Sequence, residues 1–324
     1  MVEHVRLEEI AIENPASVAW PVPAWALGTV RRRSITFANG ICDAKTQVYW
    51  VQSRGMTGDI RVHPKRPQLS ASSKLTDLDL ETLVYLASVE GGTATTSWAN
   101  GIMSWSDWIG FQPYDKYPEP GELRRIGDCM VEFAPSGVYV EDWRFQQSER
   151  GLLSGLRLIS ETGHNGVTRP RQGGLVIAGD HAICAIARKE ELPGDVRAQD
   201  FVRTSPDPVK ALERVLDCNV DYAVRSSGDT FVIRLSTDPR REGISADIIS
   251  GYSRVADSNL IQQTLMDHPG VRSRLWSIDS WQPNAAFPLA TPAGTKEMSW
   301  LESESDTLIA PLFDTVRSAA SCGS

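Results

Sequence analysis

The sequence lacks the short motifs by which many enzymes and nucleotide-binding proteins are identified. It contains no G-x-G-x-x-G, no G-x-x-x-x-G-K-[ST], no H-E-x-x-H and no G-x-S-x-G. Nucleotide-dependent phosphoryl transfer and Rossmann-type redox chemistry therefore lose their usual support. A serine hydrolase stays open, because a catalytic triad is defined by its geometry and not by sequence spacing.

Cysteine, basic clusters and long apolar runs are also scarce. The five cysteines form no C-x-x-C pair, which argues for reduced thiols and against a disulfide framework or a zinc site. The net charge is -8 and the longest basic run is Arg31-Arg32-Arg33, so we expect no nucleic-acid partner. No segment approaches the ~18–20 apolar residues of a transmembrane helix, and the N-terminus has no apolar signal segment. We therefore expect a cytoplasmic protein with no membrane partner.

Turn signals recur often along the 324 residues, and polar and apolar residues mostly alternate in the short segments between them. Turn dipeptides such as Asn39-Gly40 and Asn100-Gly101 separate them, as in β-hairpins. Many short strands with few long interruptions are typical of an all-β, antiparallel sandwich or barrel. The predicted strands are 31–38, 44–53, 58–63, 93–99, 102–112, 122–126, 129–133, 137–146, 152–160, 174–178, 181–188, 220–226 and 230–237.

A few short helices are expected between these strands. Apolar residues recur at helical spacing in 77–90, 207–217 and 258–267. Asp77 or Asp79 is suited to cap the first helix, and Asp207 followed by Pro208 to begin the second.

A segment without apolar pattern near 164–173 marks a candidate domain boundary. The predicted division is an N-terminal arm (1–24), a first β-barrel domain (25–165), a second β-barrel domain (166–250) and a C-terminal extension packing on the barrels (251–324). Within that extension, 283–306 is rich in proline, alanine and serine and is expected to lie on the surface.

A series of short motifs occurs in a recognisable order: Trp50-x-Gln52, Asp59-Ile60-Arg61, Glu90-Gly91, Trp105…Phe111-Gln112-Pro113, Tyr139-x-Glu141-x-Trp143, Gly174-Leu-Val-Ile-Ala-Gly-Asp-His181 and Ser236-Thr237-x-Pro239-x-x-Glu242-Gly243. Over roughly residues 25–245 this order resembles a largely uncharacterised bacterial group similar to the calycins, which are lipocalin-like antiparallel β-barrels. The resemblance implies two linked barrels. It also implies a small apolar ligand inside a barrel, on which a few calycins perform isomerase, cyclase or lyase chemistry without a cofactor.

The segment 137–146 carries the clearest candidate site. In a strand, Tyr139, Glu141, Trp143 and Phe145 share one face. A carboxylate among aromatic rings is desolvated, which raises its pKa and suits a general acid or base. The alternative is that Glu141 accepts hydrogen bonds from a neighbouring Arg or Trp and only holds the sheet together.

Other candidates surround this strand. Trp50, Trp105 and Trp143 could stack against a flat ligand, with Gln112 and Tyr139 as further binding residues, although large rings also fill ordinary barrel cores. Asp59, Arg61 and His63 share a strand face, which lines a polar lumen or faces solvent; inside, Arg61 could hold an anionic group. His181 could transfer a proton or serve as a hydrogen-bonding corner. Strand 102–112 is expected to place Trp105 on one face, and Trp108 with Gln112 on the other.

The sequence thus predicts a β-barrel that binds a small hydrophobic or aromatic molecule. Its chemistry would be that of a lyase, isomerase or cyclase of secondary or aromatic-compound metabolism, with Glu141, His181 and Arg61 as catalytic residues. No cofactor and no metal are expected, since His63 with Asp59 alone would not make a metal site. The alternative is a non-enzymatic ligand carrier or a protein-interaction scaffold, and assembly as a homodimer is compatible with either function.

Overall fold

The computed structural model describes residues 5–10, 12, 21–113, 119–193, 196–226, 230–256, 258–267, 270–289, 298–299 and 302–303. Within these residues the chain forms eighteen strands and three short α-helices, so the predicted all-β class is confirmed. The strands are β1 (Gly28–Phe37), β2 (Cys42–Asp43), β3 (Gln47–Gln52), β4 (Met56–Val62), β5 (Glu90–Ala99), β6 (Ile102–Gly110), β7 (Gly121–Ile126), β8 (Cys129–Phe133), β9 (Tyr139–Phe145), β10 (Gly151–Thr162), β11 (Thr168–Ala178), β12 (His181–Ile186), β13 (Asn219–Arg225), β14 (Phe231–Ser236), β15 (Ser245–Ala246), β16 (Tyr252–Arg254), β17 (Leu260–Asp267) and β18 (Gly270–Ala285). The helices are α1 (Leu80–Leu86), α2 (Ala198–Thr204) and α3 (Pro208–Leu216).

The first sheet closes on itself as an antiparallel barrel. Its order is β2-β1-β3-β4-β5-β6-β7-β8-β9, and β9 pairs back onto β1 from Phe145 opposite Val30 to Tyr139 opposite Phe37. The short strand β2 is an appendage on β1, which leaves eight strands in the closed ring of the described chain. A ring of eight strands is just wide enough to be filled by side chains or to hold one small ligand.

The second sheet is open and has the order β15-β14-β13-β12-β11-β10-β18-β17-β16, which makes a half-barrel. It begins at Gly151 and continues to Ala285, so the chain passes from the first sheet to the second between β9 and β10. Strand β10 lies within the predicted first domain, yet it pairs only with strands of the second sheet among the described residues. Strands β16 to β18 likewise bring much of the predicted C-terminal extension into this sheet.

The two sheets pack face to face through small residues. A Cβ added to Gly58 of β4 would lie 2.7 Å from the Cβ of Ile183 in β12. A Cβ on Gly174 of β11 would lie 2.4 Å from the Thr93 hydroxyl oxygen in β5. Apolar side chains of the barrel wall and of β11 to β13 join there in one buried cluster. Glycine therefore allows the sheets to approach closely over a shared core.

The opposite face of the second sheet carries its own apolar cluster, which the N-terminal segment completes. Leu7 is fully buried in it with Tyr252 and Trp276. The backbone of Val5 and that of Tyr252 hydrogen-bond to each other, and the Leu7 N–H donates to the Ile249 carbonyl. The described residues 5–10 of the N-terminal arm thus pack as part of the half-barrel.

Two of the three predicted helices are confirmed. Helix α1 begins after Asp79, whose carboxylate accepts from the Thr82 N–H at 2.8 Å. Helix α3 follows the cap Asp207 with Pro208 in its first turn. Helix α2 has no counterpart in the sequence-based prediction.

The predicted helix 258–267 is wrong, because this segment is strand β17. Ile261, Gln263 and Leu265 are buried there and alternate with exposed or half-exposed neighbours, which is the period of a strand. The alternation is not visible in the sequence because the buried residue Gln263 is polar; it is buried through hydrogen bonds with the Trp276 indole and the Asp247 carbonyl. Pairing with β18 and β16 overrides the local helical spacing.

Three described cysteines, Cys129, Cys184 and Cys218, are buried free thiols, and Cys42 is an exposed one. Among the helices that the structure describes, none has the length and apolar character needed to cross a bilayer. Most of the predicted surface segment 283–306 lies outside the described residues.

Candidate functional site

The closed barrel contains a cavity of about 390 Å³ toward one end. Its walls are inward-facing side chains of the barrel strands, and Tyr85 and Ser88 near the end of α1 and Gln199 of α2 also line it. At the other end Arg125 donates to the carbonyls of Trp25 and Pro288 and stacks over the Phe145 ring, 3.5 Å from its centre. A volume in the ~300–1,000 Å³ range is that of ordinary small-molecule sites.

Three indoles form a connected wall in this cavity. The ring centre of Trp50 lies 5.3 Å from that of Trp143 and 5.9 Å from that of Trp105, both in edge-to-face geometry. The Trp50 Nε1–H donates to the Gln52 side-chain oxygen at 2.9 Å, and the Gln52 amide in turn donates to the Met56 carbonyl at 3.1 Å. These contacts fix the orientation of the central indole.

A β-bulge in β6 adds a further indole to the same wall. The pairing with β5 shifts between Thr93–Ile109 and Thr95–Ser106, which leaves an extra residue on β6. Asp107 lies there with a positive φ of 53°. Because the bulge interrupts the alternation of faces, Trp105 and Trp108 both line the cavity, where strict alternation predicts opposite faces.

Two glutamates face each other across β8 and β9 inside the barrel. Glu132 and Glu141 are directly paired residues of the two strands, and both are buried and line the cavity. Side chains in such a pair are ~5 Å apart at Cβ. Arg32 of β1 donates to Glu141 Oε1 at 2.7 Å and to Asp43 Oδ2 at 3.3 Å. Among the described residues, Glu141 therefore has a cationic partner in direct contact and Glu132 has none.

Burial, together with the negative charge of Glu141, raises the pKa of Glu132 to about 8. Arg61, the Tyr139 hydroxyl and the Trp143 indole act in the opposite direction without cancelling this shift. The Tyr139 hydroxyl donates to Glu132 Oε1 at 3.2 Å, and Trp143 Nε1 donates to Oε2 at 3.1 Å. Tyr139 and Trp143, both predicted to bind the substrate, thus hydrogen-bond to a carboxyl group that can gain or lose its proton near neutral pH.

The triplet Asp59, Arg61 and His63 of β4 and its extension lines the lumen. The Arg61 Nε–H donates to Asp59 Oδ2 at 2.8 Å. Burial disfavours the Arg61 charge, but the carboxylates of Asp59, Glu141 and Glu90 outweigh it and raise the pKa of Arg61. The charge of Arg61 is therefore already compensated by carboxylates. At the cavity end, His63 Nδ1 and the Tyr85 hydroxyl are 2.8 Å apart.

Gln112 lines the cavity and also joins the barrel to its helices. Its amide donates to the carbonyls of Ala87 and Val89, and its oxygen accepts from the Ala198 N–H at the start of α2. With Gln112, seven of the eight predicted site residues line one cavity; the other six are Trp50, Arg61, Trp105, Tyr139, Glu141 and Trp143.

His181 lies elsewhere, at the start of β12 in the second sheet. Its Nε2 is 2.8 Å from the Gln147 carbonyl, which can only accept, so Nδ1 accepts from the Tyr222 hydroxyl at 2.8 Å. Burial lowers the pKa of this imidazole. The contacts are those of a hydrogen-bonding corner that connects β12, β13 and the segment after β9.

Glu132, Arg32 and Trp108 are cavity residues that sequence reasoning did not select. Glu132 is the one polar residue within Cys129-Met-Val-Glu-Phe133, and an isolated carboxylate in an apolar strand was the available signal. Arg32 was hidden within the run Arg31-Arg32-Arg33, whose outer members are exposed while Arg32 is buried. Nothing in the local pattern indicates the bulge that turns Trp108 inward.

Across the described part of the chain, no three His, Cys, Asp or Glu side chains are grouped so as to hold a metal ion. No protein-family model and no curated protein sequence matches this chain.

Proposed function

We propose that this protein binds a small, flat, largely apolar molecule inside the closed barrel and transfers a proton to or from it without a cofactor, as an isomerase or lyase does. The observation that carries this proposal is the Glu132–Glu141 carboxyl pair within an indole-walled cavity. The resemblance to calycins, which bind apolar molecules in the same place, agrees with it.

Glu132 is the proton-transferring group in this proposal, in place of Glu141 or His181. A group whose pKa is near the working pH is the most effective general acid or base, because it both holds and releases a proton readily. Burial and the Glu141 charge bring the pKa of Glu132 to about 8. Glu141, held by Arg32 at 2.7 Å, acts as the fixed negative charge that keeps it there.

Binding is tested with 4-nitrobenzonitrile, a flat neutral molecule whose nitro group quenches indole fluorescence. We expect saturable quenching of tryptophan emission, since four indoles line the cavity. Trp105→Leu is expected to weaken binding severalfold, and Trp281→Leu, which removes an indole from the second sheet, to leave it unchanged. A linear, non-saturating response in the unaltered protein would mean that the cavity takes no such ligand.

Proton transfer is tested with 5-nitrobenzisoxazole, a flat probe of similar size. A carboxylate removes the proton from C3, the C–H electron pair forms the nitrile as the ring N–O bond breaks, and the oxygen leaves as a coloured phenolate. We expect turnover that rises with pH through a midpoint near 8, because the ionised form of Glu132 is the base. Glu132→Gln should lower turnover about a hundredfold or more, the usual contribution of a general base.

Glu141→Gln distinguishes the roles of Glu132 and Glu141. Removing the Glu141 charge lowers the pKa of Glu132, so the midpoint of the pH profile should move to lower pH while turnover persists. Glu122→Gln, on the neighbouring strand β7 outside the cavity, is the matched control and should change neither quantity. Saturable binding without Glu132-dependent turnover would refute the proton transfer and favour a carrier.

A further inference from the structure

The charges that line the cavity are unbalanced. Among the described residues, six carboxyl side chains and three guanidinium groups line it: Asp43, Asp59, Glu90, Glu119, Glu132 and Glu141 against Arg32, Arg61 and Arg197. Even with Glu132 protonated, the lining carries a net negative charge. The raised pKa of Glu132 is in keeping with that potential, because Glu141 contributes to it.

Two of the guanidinium groups are engaged by carboxylates of the same cavity. Arg32 lies 2.7 Å from Glu141 and 3.3 Å from Asp43, and its side chain is 6% exposed. Arg61 lies 2.8 Å from Asp59, with Glu141 and Glu90 close enough to stabilise its charge. An anionic ligand would have to displace these carboxylates or lie against them. The arrangement is therefore unfavourable for an anion.

The aromatic wall adds to this preference. The faces of indole rings carry negative electrostatic potential, and cations bind to them most strongly when water is excluded. Trp50, Trp105, Trp108 and Trp143 with Tyr139 line the same space as the excess carboxylates. Ring faces and surplus negative charge together are the chemistry that recognises ammonium groups bearing apolar substituents.

We infer that the ligand of the barrel cavity is a small organic cation, an amine or quaternary ammonium compound with an apolar or aromatic body, held by the indole wall and by the excess of carboxylates. This inference rests on the proposed function in that it needs a ligand-binding cavity. It adds the charge of the ligand, which is opposite to the anion that Arg61 suggests when read from sequence alone.

The test compares probes of matched shape. Phenyltrimethylammonium and tert-butylbenzene differ in one atom and one charge, and benzenesulfonate is an anion of similar size. Each is measured by calorimetry and by displacement of 4-nitrobenzonitrile from the unaltered protein. We expect the cation to bind at least tenfold more tightly than tert-butylbenzene, and benzenesulfonate to bind more weakly than either.

Two variants examine the source of the preference. Trp105→Leu should reduce the advantage of the cation over the neutral probe, with Trp281→Leu as control. Glu90→Gln, which removes the charge of an exposed carboxylate at the cavity, should weaken the binding of phenyltrimethylammonium severalfold. It should leave the binding of tert-butylbenzene unchanged, with Glu122→Gln as control.

The outcomes distinguish this inference from the proposed function. If the neutral and cationic probes bind with equal affinity, or if the anion binds more tightly than the cation, the inference of a cationic ligand is wrong. The proposal of a ligand-binding cavity would still stand. If none of the three probes binds and 4-nitrobenzonitrile does not quench either, both proposals fail.

Discussion

Glu132 is a carboxyl group whose charge the fold disfavours. The Tyr139 hydroxyl and the Trp143 indole donate hydrogen bonds to it, but burial and the charge of the opposing Glu141 still hold its pKa near 8. In the unfolded chain the same group has a pKa near 4.5. Between these two values the folded state binds more protons than the unfolded state, so this residue lowers the stability of the protein as pH rises through that window.

Glu132→Gln is therefore expected to have a pH-dependent effect on stability. Glutamine cannot ionise, so the free energy of unfolding of the variant should increase relative to that of the unaltered protein from pH 5 to pH 9. Each unit of pKa shift corresponds to ~1.4 kcal/mol. Denaturant unfolding at several pH values measures this trend.

Glu122→Gln is the control for this pH-dependent change in stability. Glu122→Gln removes a partly exposed carboxylate from the adjacent strand, and its effect should not grow with pH in this way. At pH 5 the Glu132 variant should be slightly less stable, because the amide accepts one of the two hydrogen bonds that the carboxyl oxygens accept. A stability difference that stays constant from pH 5 to 9 would contradict the raised pKa.

Strand β6 shapes the cavity at the scale of a single element. The bulge at Asp107 turns Trp108 inward, where its ring folds over the backbone of β5 and β6. A Cβ on Gly110 would lie 2.0 Å from Trp108 Nε1, and one on Gly92 would lie 2.9 Å from Trp108 Cζ2. These two glycines provide the space that the indole occupies.

Gly110→Ala should therefore displace Trp108 while the barrel stays folded. We expect a loss of stability of ~1–3 kcal/mol from overpacking, a change in near-ultraviolet circular dichroism and weaker quenching by 4-nitrobenzonitrile. Gly270→Ala is the matched control, because among described residues other than its chain neighbours the nearest atom to a new Cβ is His164 Nδ1, 3.9 Å away. Unchanged binding and spectra in Gly110→Ala would show that Trp108 does not depend on this space.

The whole molecule is held together by the contact between its two sheets. Gly58 against Ile183 and Gly174 against Thr93 bring the barrel wall onto the half-barrel, and one apolar cluster spans both. Stability that depends on a shared core is lost cooperatively. We therefore expect barrel and half-barrel to unfold in a single transition.

Gly58→Ala tests this cooperativity. Its Cβ would lie 2.7 Å from that of Ile183, so the sheets must separate locally, at a cost of ~1–3 kcal/mol. Thermal unfolding followed by tryptophan emission and by hydrogen exchange of β12 should show the same lowered midpoint. Two separate midpoints would mean that the sheets are independent folding units.

Much of the barrel was predictable from local patterns. The alternation in β9 correctly groups Tyr139, Glu141 and Trp143 on the cavity face, since a strand has a strict period of two. The cap Asp207 and the proline at the first position of α3 identify that helix for equally local reasons. The pattern fails at β17, where Gln263 is buried by hydrogen bonds to Trp276 of β18 and to Asp247 in the loop before β16.

The amino-acid sequence by itself determined the all-β class and the inward-facing aromatic and charged residues of individual strands, because these depend on neighbours along the chain. Only the tertiary structure decided that Glu132 opposes Glu141, that Arg32 reaches Glu141 from 109 residues away, and that a bulge turns Trp108 inward. Strand register and barrel closure create these contacts, and both depend on pairing between distant segments. The electrostatics of the cavity therefore arise from the fold.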